Sequence, residues 1–110
     1  MKLTPEQIQT NWDKLIQLIE NSFDGERKEK LLKMYEYFKD RMMMAPASGS
    51  EHFHLCTPGG YVQHILNIVH YSLEFYKVWK DSGAYVDDYT VEELIFAAMH
   101  HDLGKVGDLN

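Results

Sequence analysis

The sequence predicts an all-α, single-domain protein. Apolar residues recur every three or four positions, the helical rather than the alternating period. Two strings read as helix starts, Thr4-Pro5-Glu6-Gln7 and Thr90-Val91-Glu92-Glu93, each with Thr at the cap and Gln or Glu three residues on. At 110 residues the chain suits one core and is too short for two.

Taken in order, Thr4 caps a first helix with Pro5 at its first position, and Ile8, Trp12, Leu15, Ile16 and Ile19 form its apolar stripe to about Asn21-Ser22. Asp24-Gly25 breaks the chain, with Asp24 placed to cap a second helix. There Leu31, Tyr35, Phe38 and Met42 share a face, while Glu29, Lys33, Glu36 and Asp40 lie on the solvated side. Met42, Met43 and Met44 read as irregular core filling. Residues 1–44 thus form an N-terminal helical pair, and 45–110 form the region that carries the chemistry.

The segment from Ala45 to Cys56 has no helical or strand period and carries His52 and His54, which is chemically rich for a spacer. A third helix is expected from about Gly59 to Lys80, ended by Asp81-Ser82-Gly83. A fourth, capped by Thr90, is expected to reach about Leu103, with Gly104 at the stop position.

Composition narrows the function. Seventeen acidic against eleven basic residues leave a net charge of −6, which disfavours a sequence-independent nucleic-acid binder. A single cysteine, Cys56, rules out an internal disulfide framework and a Cys-rich zinc site. No apolar run approaches membrane-spanning length, and Met1-Lys2-Leu3-Thr4-Pro5-Glu6 has no signal-peptide core. A cytoplasmic protein that does not engage membranes is expected.

Placing titratable residues at about 100° per residue sharpens the reading. On the third helix, with Tyr61 at zero, His70 and Gln63 fall on the solvated side. His64 lands at about 300°, on the border of the apolar arc, aimed at a crevice. On the fourth helix, with Val91 at zero, His100 falls at about 180° and reads as exposed. His101 and Asp102 fall at about 280° and 20°, within or beside the apolar face. A carboxylate there is costly to bury unpaired and opposes the helix dipole. A cation answers both difficulties. Taken singly, an ion pair from Asp102 to Lys105 or an arginine, and a hydrogen-bonded core histidine at 101, compete with this reading. Together His64, His101 and Asp102 make an N/O metal site between two packed helices.

These residues resemble the HD superfamily of metal-dependent phosphohydrolases, named for a helix-borne His-Asp doublet. Here the doublet is His101-Asp102 in His100-His101-Asp102-Leu103-Gly104-Lys105-Val106, preceded by Leu94-Ile95-Phe96-Ala97-Ala98-Met99. The earlier string Pro58-Gly59-Gly60-Tyr61-Val62-Gln63-His64 looks like the family's Gly-Gly turn leading to the first metal histidine, 37 residues before the doublet. His54, shortly before that turn, is similar to the branch that includes CMP-binding-factor-type exoribonucleases. The likeness spans about residues 45–107.

The resemblance implies an HD-domain-like helical bundle with His64, His101 and Asp102 as metal ligands and Asp102 also orienting a water. It implies that Lys105 faces the substrate phosphate or holds the end of the doublet's helix. It implies too that His54, with His52 beside it or merely solvated, touches the phosphate or the residues around the ligands. Lys105 and His54 would then offset phosphate charge. The cofactor would be a divalent Mn, Fe, Co, Ni or Zn ion. The substrate would be a nucleotide or other small phosphate ester. The family's fourth ligand, an aspartate on a later helix, has no counterpart, since Asp108 follows the doublet by only six residues. The expectation is therefore a bundle lacking its C-terminal helices: a fragment, a site completed by a partner chain, or a degraded site. The apolar arcs of the third and fourth helices should then be partly uncovered and the chain should form homo-oligomers. The competing function is a non-catalytic helical binding module with a relic or incomplete metal site. A two-iron oxygenase is a third, requiring further histidines, and His70 and His100 read as turned away.

Overall fold

The computed structural model describes residues 2–46, 57–83 and 90–103. All regular structure among them is helical: α1 (Pro5–Ser22), α2 (Gly25–Tyr37), α3 (Lys39–Met44), α4 (Gly60–Asp81) and α5 (Val91–His100). The all-α expectation holds. Among the described residues no helix is long and apolar enough to cross a membrane.

α1 begins as its residues predict. Gln7 N–H donates to the Thr4 hydroxyl at 3.1 Å, and Thr4 N–H donates to Gln7 Oε1 at 2.9 Å. Both donors are groups that a helix start would otherwise leave unpaired. The stripe is buried at Trp12, Leu15 and Ile19. Phe23, at the end of α1, is buried too and meets Phe96 of α5 edge-on.

The single second helix is corrected to two. Phe38 leaves helical geometry (φ −98°, ψ 11°) and separates α2 from α3. Phe38 N–H still donates to Met34 O and Met42 N–H to Phe38 O, so the break is a kink rather than a turn. No Gly or Pro marks it. Leu31, Tyr35 and Met42 remain buried across it, while Phe38 is only half-buried. Met43 is half-buried and Met44 exposed. Asp24 occupies the cap position of α2, but its side chain makes no capping hydrogen bond.

α4 starts on Gly59, at φ +84°. Two constraints require glycine there. Positive φ is strained for a residue with a Cβ, and that Cβ would stand 2.6 Å from Ile8 Cγ1. Tyr61 N–H then donates to Ala45 O at 2.9 Å, fastening the first turn of α4 to the end of α3. Tyr61, Val62, Ile65 and Val69 are buried. Beyond them α4 projects, and Tyr71, Phe75, Val78 and Trp79 are 50–62% exposed. Of this helix's apolar arc, expected to be partly uncovered, only Trp79 is exposed; Tyr71 and Phe75 lie at its border and Val78 outside it.

α5 packs Ile95, Ala98 and Met99 into the core, mainly against α4. It stops at His100, three residues before the expected end, and residues 101–103 form a turn. One cause is visible: the His101 ring donates from Nδ1 to Ala98 O at 2.8 Å. In a continuing helix that carbonyl would accept from the Asp102 N–H. Histidine near a C-terminus commonly takes such a carbonyl. On its other side α5 meets α2. Arg27 reaches Glu92 at 3.4 Å and lies 5.0 Å over the Phe96 ring.

Candidate metal centre

The site is assembled from α4 and the turn that ends α5. His64 stands one turn into α4, where the Gly59 turn and the Tyr61–Ala45 hydrogen bond set the start of the helix. His101 and Asp102 follow the last residue of α5. Asp102 Oδ2 is 3.0 Å from His101 Nε2 and 3.7 Å from His64 Nε2. The His64 and His101 rings lie 5.5 Å apart between centroids. One ligand atom from each of the three residues falls within 4.8 Å of the others. The trio proposed from helical spacing therefore converges. Two details differ from expectation. The doublet lies just beyond the helix, and it is at the rim: the Asp102 side chain is 25% exposed and that of His101 38%.

The donor set fits a divalent metal. Bonds of about 2.1 Å to imidazole and carboxylate place neighbouring donors about 3.0 Å apart at right angles and about 3.4 Å at the tetrahedral angle. The observed 3.0 and 3.7 Å bracket those values. The His101 tautomer fits as well. Ala98 O can only accept, so Nδ1 carries the hydrogen, and a neutral ring turns its Nε2 lone pair toward Asp102. A lone pair and a carboxylate oxygen at 3.0 Å need positive charge between them, either a proton or a metal ion. Anchoring the remote ring nitrogen on a carbonyl is also how proteins orient metal-bound histidines.

His100 requires a correction. Instead of facing solvent it is half-buried, donating from Nδ1 to Phe96 O at 2.7 Å. Its Nε2 accepts from the Tyr35 hydroxyl at 3.0 Å. Burial lowers its pKa below the ordinary histidine value, partly opposed by the Phe96 carbonyl. Tyr35 is raised above the usual tyrosine range by burial and by Tyr61, which keeps its proton in place. The helical wheel put His100 opposite the α4-facing side correctly, but α2 covers that side. Gln63, also read as solvated, is half-buried and accepts from the buried Asn11 side chain at 2.8 Å. His70 is exposed, as expected.

Helical spacing gave no sign of Tyr61's chemistry. Its ring is buried at 2% exposure, and its hydroxyl has no hydrogen-bond partner among the described residues. A phenol at a core position of α4, one turn from a candidate ligand, is the signal that could have marked it. The readings of His52, His54, Cys56, Gly104, Lys105 and Asp108 lie outside the described residues. The groove between α1 and α2, lined by Trp12, Ile16, Leu32 and Glu36 among others, does not include the trio. No protein-family model matches the chain, and no curated protein or solved structure is significantly similar to it.

Proposed function

We propose that this chain is a metal-dependent phosphohydrolase of the HD type, acting on a nucleotide or another small phosphate ester. The observation that supports the reading is the convergence of His64 from α4 with His101 and Asp102 from the turn that ends α5, His101 being already oriented by Ala98 O. A bound divalent ion would acidify a water and polarise a phosphoryl oxygen. Imidazole and carboxylate donors suit Mn, Fe, Co, Ni or Zn.

The chain's own groups have separate tasks. His64 and His101 present nitrogen donors from two different elements, so the packing of α4 on α5 sets the site's width. Asp102 contributes Oδ2, and its carboxylate can accept the proton that the attacking water gives up. Lys105 and His54, carried over from the family resemblance, would offset charge on the phosphoryl oxygens. The net charge of −6 favours a small ester over a long polyanion.

The test is hydrolysis of a generic phosphodiester and a nucleotide panel with added manganese. Activity is expected in the wild type, lost in His101→Ala and Asp102→Ala, and retained in His70→Ala. Metal binding without turnover of any panel member would instead support the non-catalytic helical module.

A further inference from the structure

The Tyr61 hydroxyl stands out among the buried polar groups. It belongs to a residue 2% exposed, and it has no hydrogen-bond partner among the described residues. Leaving a buried O–H unpaired costs free energy that a phenylalanine at the same position would avoid. The surroundings are otherwise carefully paired: Tyr35 donates to His100, His100 to Phe96 O, and His101 to Ala98 O. Tyr61 lies on α4 one turn before His64, so the two side chains project from the same end of the helix. Burial and then the Asp102 charge push its phenol up to about 12, so it keeps its proton at neutral pH and can donate.

We propose that Tyr61 is a donor belonging to the cation site: its O–H hydrogen-bonds to the oxygen ligand, a water or a phosphate oxygen, that a cation held by His64, His101 and Asp102 brings with it. The inference rests on the cation-binding part of the proposed function. Tyr61 is a positioning residue here, exchanging no proton and holding an oxygen in place. It also accounts for a hydroxyl that folding alone leaves unsatisfied.

Tyr61→Phe tests it, because only the oxygen is removed. Mn²⁺ affinity is measured by calorimetry on metal-free protein, then inorganic phosphate affinity in saturating Mn²⁺, with thermal unfolding of the metal-free form alongside. The variant is expected to melt no lower than the wild type while losing about tenfold in one of the two affinities, the value of one hydrogen bond. A loss with Mn²⁺ alone identifies the oxygen as water; a loss confined to phosphate identifies the anion. Both affinities within twofold of wild type overturn the role of Tyr61 while leaving the cation site intact. A wild type that binds Mn²⁺ no better than His101→Ala overturns the cation site and the Tyr61 role with it. Tyr61→Leu, which removes the ring edge as well, should reproduce the loss of affinity.

Discussion

Adding a divalent cation should stabilise this protein, and removing any one of three side chains should abolish the effect. The three ligand atoms already lie within 4.8 Å of one another, two of the separations being 3.0 and 3.7 Å. Closing onto bonds of about 2.1 Å needs only small side-chain movements, so little reorganisation opposes binding. With free metal about 100-fold above its dissociation constant, linkage contributes about 2.7 kcal/mol. For a domain of this size each kcal/mol moves Tm by about 4–8 °C, giving a rise of about 10–20 °C. Without metal, Asp102→Ala removes partly exposed ion pairs to His101 and His64, and exposed pairs of this kind are each worth under about 1 kcal/mol. Wild type and variant should therefore melt within a few degrees of each other after chelation and separate widely on adding Mn²⁺ or Zn²⁺. Scanning calorimetry of wild type, His64→Ala, His101→Ala, Asp102→Ala and the exposed control His70→Ala measures this. A metal-induced rise of equal size in His101→Ala and the wild type would refute the reasoning, as would no rise in the wild type at millimolar metal.

Tyr35→Phe leaves His100 Nε2 half-buried without its donor and should cost about 1–3 kcal/mol in denaturant unfolding. Because burial lowers the His100 pKa, the unfolded chain binds a proton that the folded ring resists. In metal-free protein the stability from this group is complete above about pH 6.5 and declines as pH falls below it; urea midpoints across that range check this, and His100→Gln should flatten the profile. Gly59→Ala should cost about 2 kcal/mol or more, because strain at φ +84° adds to the contact with Ile8. Gly83→Ala, at φ +88° with nothing within 4 Å, should cost less, and the difference in Tm isolates the contact. The exposed row Tyr71, Phe75, Val78 and Trp79 is expected to join two copies of the chain. Sedimentation should show a dimer that Phe75→Ser with Trp79→Ser dissociates, and a wild type monomeric at high concentration removes the idea.

The parts legible in the sequence were those governed by local rules. Both capping boxes are local chemistry, and both form. His64, His101 and Asp102 could be brought together on paper because helical spacing fixes direction and the two helices pack on each other. The failures came where a second neighbour mattered. His100 was misplaced because a helical wheel shows which side is polar without showing that Tyr35 of α2 will cover it. Gln63 was misplaced for the same reason, with Asn11 of α1 as the neighbour. The kink at Phe38 has no Gly or Pro to announce it. The early end of α5 depends on a ring nitrogen choosing a carbonyl, a competition that residue spacing does not rank. Tyr61 is the extreme case, since what distinguishes it is the lack of a hydrogen-bond partner among the described residues.

The crowding of Gly59 against Ile8 and Leu3 has a consequence for how this molecule can be dissected. The N-terminal segment acts as a jig: it seats the root of the helix whose next turn carries His64. Trimming the first two dozen residues would strip Trp12, Leu15, Ile19 and Phe23 from the core as well, and should unfold the chain rather than yield a minimal version. Changes at Leu3 or Ile8, more than fifty residues away in sequence, should instead shift the spacing between the His64 and His101 imidazoles without altering either residue.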